Sequence, residues 1–281
     1  MSFSLNIQSS FSSASPDPSS ALLNTLYGHG SSSGGSTVNP IQALQNAQRT
    51  EKQQIAATSA SAAVKTAVAA FTAGVRSATS VKQLLSNPSV MKVLLTANGL
   101  QDQIQYTALA KQVLLSNLKD PKSLANTLTD SRWRAMAQTY NFAANGLSAI
   151  NRPQTMAAIA QGYAQSIWET SQDQVTPGLA NALYFISNAG TVTNVDQILG
   201  DKALRTVVTT ALGIPQQIAF QSLNAQEQAI TSRLDISKFR NPHFVQNVAQ
   251  QYLIANSNSA AAAGASTDLT SLAIQTTTTP V

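Results

Sequence analysis

Cysteine is absent from the 281-residue chain, histidine occurs twice, and only 17 basic and 12 acidic residues are present. That is about a tenth charged, where roughly a quarter is usual. Without cysteine there is no disulfide, no thiol nucleophile and no thiolate metal site. No apolar run approaches the ~18 residues of a membrane span, so no membrane insertion is expected. The opening Met1-Ser-Phe-Ser-Leu-Asn-Ile lacks a basic region followed by an apolar stretch, so no general secretory signal is expected either. Neutral polarity takes the place of charge: Ser, Thr, Asn and Gln together number 106 and Ala 43, with a net charge of +5.

Composition divides the chain in three. Residues 1–38 are Ser-rich, with a Gly-Ser run from Gly28 to Ser36 and Asp17 as the one charge. They bury too little apolar surface to offset their chain entropy and read as a disordered leader. Within it, Leu22, Leu23, Leu26 and Tyr27 have the spacing of one docking helical turn. Residues 256–281 are Ala, Ser, Asn and Thr with Asp268 as the one charge, and read as a disordered tail. Residues 39–255 carry apolar side chains at helical spacing, enough for one domain with a substantial core or for two small subdomains.

Helix punctuation fills this middle. Asn39-Pro40, Asp120-Pro121, Arg152-Pro153, Ile214-Pro215 and Asn241-Pro242 predict helix starts. Gly99, Gly146, Gly190 and Gly213 predict stops. No sustained alternation of apolar and polar residues signals a strand, so the expected class is all-α. A long first helix is predicted from Ile41 towards Val75. Ile41, Leu44, Ile55, Val64, Val68 and Phe71 form its stripe, its second half packed and its first half projecting.

The chain also repeats itself. Residues 64–109 align with 178–223 without a gap, with twelve identities in 46 positions. These include Phe71/Phe185, Val81/Val195, Gln83/Gln197, Leu85/Leu199, Val93/Val207, Gly99/Gly213 and Ile104/Ile218; Tyr106/Phe220 is a conservative pair. Each copy predicts a short helical turn (Val81, Leu84, Leu85), a second helix (Val90, Val93, Leu94, Ala97; Leu204, Val207, Val208, Ala211), a glycine stop and a third helix. Beyond it, Asp130-Ser-Arg-Trp133 resembles Asn241-Pro-His-Phe244. The expected architecture is a duplicated helical unit packed as a pseudo-symmetric bundle.

Catalytic constellations are missing. Gly28 to Gly35 lacks the lysine of a phosphate-binding loop. His29 falls in the leader, where nothing holds it, and His243 falls in a first helical turn facing solvent. The acids Asp102, Asp120, Asp130, Glu169, Asp173, Asp196, Asp201, Glu227 and Asp235 read mostly as helix starts or polar faces, with Asp120, Asp130 and Asp235 as caps. No catalytic, cofactor-binding or metal-ligating residues are therefore assigned, and the chain is expected not to be an enzyme. Arg132-Trp133-Arg134, near Lys119 and Lys122, raises nucleic-acid binding, but the basic residues are scattered and the net field is thin. Trp133 aligns with Phe244, which points to a core position, and no nucleic-acid partner is expected. Gln101, Gln105, Gln112, Gln216, Gln217, Gln246 and Gln250 crowd the polar faces and suit protein–protein packing.

The run Asn141-Phe-Ala-Ala-Asn-Gly146, the segment Ala182-Leu-Tyr-Phe185, the run Leu199-Gly-Asp-Lys-Ala-Leu-Arg-Thr-Val-Val-Thr-Thr-Ala-Leu-Gly-Ile-Pro215 and Leu234-Asp-Ile236 together resemble the domain-of-unknown-function 1217 family, over roughly 55–255. The resemblance implies an alphaproteobacterial setting, often among flagellar genes, and no established catalytic residues. It implies a non-enzymatic, flagellum-associated structural or assembly protein, acting through protein–protein contacts with flagellar components or with itself. A Cys-free chain with a Ser-rich leader fits export through the flagellar secretion channel. The tails lack the apolar heptads of flagellar axial proteins, which favours an accessory or cap-like role over polymerisation. The alternative is a cytoplasmic adaptor, chaperone or regulator of flagellar assembly. Location is accordingly the flagellum or the exported fraction, otherwise the cytoplasm.

Overall fold

Polar residues ahead of proline start helices at most of the places the sequence marks. In the computed structural model, residues 39–275 are described. The expected leader, with Leu22 to Tyr27 and His29, lies outside them, as do residues 276–281. Asn39 Oδ1 accepts from the Ile41 N–H and opens α1, Pro40–Ala60. Pro153 opens α9, Pro153–Gln172, and Pro242 opens α14, Pro242–Gln275. Pro215 precedes a 3₁₀ turn, Gln216–Phe220. Asp120-Pro121 departs from the pattern. Asp120 accepts from the Lys122 N–H within a turn, and α6, Leu124–Thr127, begins after Ser123. Among the described residues no strand occurs, and no single helix is long and apolar enough to cross a membrane.

The predicted first helix is in fact two. α1 stops at Ser61, whose extended backbone caps α2, Ala62–Ser77, through an Oγ that accepts from the Val64 N–H. The two helices are bent by 66°. Ser competes with the helix backbone for hydrogen bonds, so a Ser-Ala-Ser run is a natural break. The packing of the halves differs from expectation too. Ala43, Leu44 and Ala47, near the start of α1, are buried in one core, while Val64, Phe71 and Val75 of α2 are buried in another. The exposed part is the stretch around the bend.

The duplication is visible element by element. In the first copy, α2 is followed by α3 (Val81–Leu84), α4 (Pro88–Ala97), a 3₁₀ turn (Gln101–Gln103) and α5 (Thr107–Leu114). In the second, α10 (Leu179–Asn188) is followed by α11 (Val195–Gly200), α12 (Lys202–Ala211), the turn Gln216–Phe220 and α13 (Leu223–Thr231). The caps repeat as well. Ser80 Oγ and Asn194 Oδ1 accept from the Gln83 and Gln197 N–H groups, and the glutamine side chains reach back one residue beyond the cap, to the Thr79 N–H at 2.8 Å and the Thr193 N–H at 2.7 Å. Asn87 caps α4 and Asp201 caps α12, each accepting two N–H bonds.

Both copies close the second helix in the same way. The Leu100 N–H donates to the Leu95 carbonyl across Gly99, and the Ile214 N–H to the Thr209 carbonyl across Gly213. The glycines have φ of +72° and +62°, the left-handed conformation that closes a Schellman motif. Leu100 and Ile214 are thereby turned into the cores.

Each copy has its own core. Phe71, Leu84, Leu85, Val93, Leu94 and Leu100 pack with Trp133, Met136 and Tyr163; Phe185, Ile198, Leu199, Val207, Val208 and Ile214 pack with Leu44, Trp168 and Tyr252. Helix α9 joins them, placing Ile159, Tyr163 and Ala164 in the first core and Trp168 in the second. It packs along both α4 and α1. Trp133 is buried, as its alignment with Phe244 implies, and Phe244 is partly buried against the second core.

Helix α14 runs through Gln275, where composition predicts a disordered tail from Asn256. Its start is nucleated by a packed segment, Val245 to Leu253, and Asn256 Nδ2 donates to the Pro177 carbonyl at 2.7 Å. Elongation from a formed helix needs no new nucleus, and the following Ala-rich sequence has high helix propensity.

The two glycine stops should respond differently to a methyl group. At Gly213 an added Cβ meets no atom within 4 Å, so Gly213→Ala should cost only the left-handed penalty of about 1–2 kcal/mol. At Gly99 the Cβ would also meet the Tyr184 ring at 3.1 Å. Denaturant midpoints should rank Gly99→Ala as the more destabilising, and equal losses would contradict the contact.

Candidate functional site

The two copies do not meet through apolar surface alone. Helix α7, Ser131–Tyr140, follows the first copy, precedes the one-turn helix α8, Phe142–Asn145, and carries Arg132 to the boundary. Asp130 is its N-cap, accepting from the Arg132 N–H at 3.0 Å and from the Arg132 guanidinium at 2.7 Å. Asp102, in the turn after Gly99, lies 3.1 Å from the same guanidinium. Asp201 belongs to the second copy and lies 3.5 Å from Arg132 Nε. The Gly99 carbonyl accepts a further bond from Arg132 Nη1 at 2.6 Å. One arginine therefore holds the end of α4, the cap of α7 and the cap of α12.

Backbone contact makes this approach possible. A Cβ on Gly200 would collide with the Thr129 carbonyl, so only glycine lets α11 come this close to the chain entering α7. Tyr184 of α10 completes the cluster. Its hydroxyl donates to Asp201 Oδ2 at 2.8 Å, while its ring lies over Gly99.

These contacts set the titration of the cluster. Burial opposes the charge on Arg132, but the bond to Asp130 and the charges of Asp201, Asp130 and Asp102 outweigh it and hold its pKa above the usual value. Burial likewise opposes ionisation of Asp102, and the Arg132 charge with bonds from Gln103 and Arg132 reverses the balance, so its pKa lies below the usual carboxylate range. Burial and the Asp201 charge push the Tyr184 hydroxyl upward.

Beside the cluster a groove of about 530 Å³ opens between the copies, within the range of small-molecule sites. Its walls are Asn98 and Gly99 at the end of α4, Thr139 of α7, Gln165 and Ser166 of α9, Asn181 and Asn188 of α10, and Lys202 and Thr206 of α12. Glu169 of α9 lines it too and is nine-tenths buried. Burial pushes its carboxyl up to about 7, opposed by a bond from Gln165 Nε2 and aided by the charge of Glu51.

The residues considered from sequence fall as follows. His243 is exposed on the first turn of α14, away from the groove lining. Asp130 and Asp235 cap helical turns as expected. Within Arg132-Trp133-Arg134, Arg132 is in the ion cluster, Trp133 is in the core and Arg134 is exposed. Glu169 corrects the expectation of a solvated polar face. The signal for it was the helical face Gly162, Gln165, Ser166, Glu169, where small and polar residues at i, i+3, i+4 and i+7 mark a close helix contact. There Ser166 Oγ donates to the Thr96 carbonyl at 2.7 Å. The Arg132 cluster joins residues up to 99 positions apart and had no local signal.

A family model described as a protein of unknown function, DUF1217, matches residues 97–245. The chain is also similar to the crystal structure of protein AGR_C_984 from Agrobacterium tumefaciens, with a TM-score of 0.67 and 20% identity over 80% of this chain and 96% of that one. At that identity the likeness is one of fold. No curated protein matches the chain.

Two variants test the electrostatics. Arg132→Met leaves three carboxylates without their cation and should cost about 3–5 kcal/mol near neutral pH. The deficit should shrink as pH falls and the acids protonate; a deficit independent of pH would contradict the clamp. Glu169 has the opposite sign. Its raised pKa means that stability is full below about pH 4.5 and is lost as pH rises through about 7, on the order of 3 kcal/mol. Chemical unfolding of Glu169→Gln should lack that loss.

Proposed function

The chain belongs to the DUF1217 family of proteins of unknown function, and from that footing we propose that it is a non-enzymatic, flagellum-associated protein, structural or assembly-related, that acts by binding other proteins. The observation that carries the non-enzymatic part is the Arg132 clamp. Asp102 of the groove wall is paired with one arginine together with Asp130 and Asp201, and the latter two also cap helices. A carboxylate whose lone pairs are taken by a guanidinium and by cap N–H groups is a poor general base, and for Asp102, in the groove wall, the Arg132 charge also lowers its basicity. Glu169, the other acid of the groove lining, has a glutamine and, among the described residues, no histidine, serine or threonine as its hydrogen-bond partner.

Binding of other proteins is supported by where apolar side chains are left outside. Phe220 is 92% exposed and Tyr106, its counterpart in the first copy, is 50% exposed, each in the turn after a glycine stop. Leu223, beside Phe220, is half exposed. Aromatic side chains on the surface are favoured anchors in protein interfaces. The flagellar setting comes from the family resemblance and from the composition of the leader.

Fractionation of the source bacterium tests the reading. Cells with a working flagellar export apparatus should release the protein into the medium or carry it in purified flagella, and cells without the apparatus should retain it. Retention in the cytosol of both strains would replace this reading with a cytoplasmic adaptor, chaperone or regulator. Flagella and swimming unaltered by deletion of the gene would remove the flagellar role altogether.

A further inference from the structure

The groove has a surplus of one kind of hydrogen-bonding group. Asn98 Nδ2 donates to the Leu94 carbonyl and to the Tyr140 hydroxyl, Asn181 Nδ2 to the Tyr252 hydroxyl, and Asn188 Nδ2 to the Tyr184 carbonyl. Gln165 Nε2 donates to Glu169 Oε1 at 2.9 Å. At Asn98 both amide hydrogens are tied into the protein and at the other three amides one is, and in each case the amide oxygen accepts nothing from the described residues. The hydroxyls of the lining behave alike. Ser166, Ser187 and Thr206 donate to the carbonyls of Thr96, Leu183 and Lys202. Glu169 Oε2 also takes no hydrogen bond from the described residues. The walls therefore present the Glu169 carboxylate, four amide oxygens and three hydroxyl oxygens as acceptors, against one remaining N–H each on Asn181, Asn188 and Gln165. The one cationic donor not already paired within the lining is the Lys202 ammonium, on an exposed residue at the rim.

Charge points the same way. Asp102, Asp130 and Asp201 share one guanidinium, which leaves two negative charges uncompensated, and Lys202 offsets one of them. Glu169 adds another when ionised, and Glu51 of α1 lies close enough to disfavour that ionisation.

We propose that the groove between the two copies is a binding site for a donor-rich cation, a guanidinium or primary ammonium group, seated on the Glu169 carboxylate. Such a group supplies the donors that the amide oxygens lack and the charge that the cluster leaves unbalanced. The site is a separate inference from the flagellar reading and stands without it.

Binding is linked to pH. The charged and titratable groups facing Glu169 are Glu51 of α1, Asp102 of the turn after α4, Arg132 of α7, Tyr184 of α10 and Lys202 of α12. Burial withholds the Glu169 charge near neutrality. A cation draws the carboxyl into its ionised form, so affinity should rise as pH rises through about 7.

Calorimetric titration of the full chain tests this with N-acetyl-arginine methylamide, free arginine and putrescine, and with N-acetyl-citrulline methylamide as the neutral isostere. The cationic probes should bind saturably and more tightly near pH 8 than near pH 6. The citrulline probe should bind at least tenfold more weakly, since a hydrogen bond to a charged group is worth about 1.5–3 kcal/mol. Glu169→Gln should weaken binding at least tenfold and flatten the pH dependence, and Lys202→Ala at the rim should strengthen binding. Preference for the blocked arginine would identify a side chain of a protein chain as the cation; preference for putrescine or free arginine would identify a small molecule. Absence of saturable binding by every cationic probe, equal binding of citrulline, or an unchanged affinity in Glu169→Gln would overturn the proposal.

Discussion

One guanidinium shared by three carboxylates fixes how the two halves of this fold meet. Arg132 reaches the end of α4, donates to Asp130, the N-cap of its own helix, and faces Asp201 at the head of α12. Burying these charges gives little net stability, because desolvation offsets most of the attraction. What the cluster supplies is register. Apolar contact is non-directional, whereas an arginine with its side chain 10% exposed and four partners has one satisfactory arrangement. Gly200 permits that arrangement by letting one backbone lie against the other.

Much of the fold follows from local chemistry and was legible in the sequence. The helix caps, the left-handed glycines and the duplication all rest on residues a few positions apart, and Phe71 and Phe185 occupy equivalent fully buried places. Legibility fails where structure depends on distant neighbours or on competition between local signals. Ser61 lies in an Ala-rich run that reads as continuous helix, yet its hydroxyl caps a new one. Asp120-Pro121 has the form of a helix start, but a turn satisfies its carboxylate first. The last helix continues past Asn256 because packing upstream removes the cost of nucleation.

The groove shows the same limit more sharply. Glu169 looks like a surface acid on an amphipathic helix, and only the packing of α9 between α4 and α1 withdraws it from water. Its environment then differs from that of Asp102 in one respect. Asp102 has a cation in contact and its pKa is lowered, while Glu169 has a neutral amide in contact and its pKa is raised. Two acids lining one groove thus differ in charge near neutrality, set by which neighbour each helix delivers.

The account depends most on the claim that Arg132 couples the two cores into one cooperative unit. Native-state hydrogen exchange on Arg132→Met measures this directly, amide by amide. The account predicts that Val93 to Leu95 in one core and Val207 to Val208 in the other lose protection together with α7. Loss confined to residues 124–140, with both cores as protected as in the parent, would contradict it.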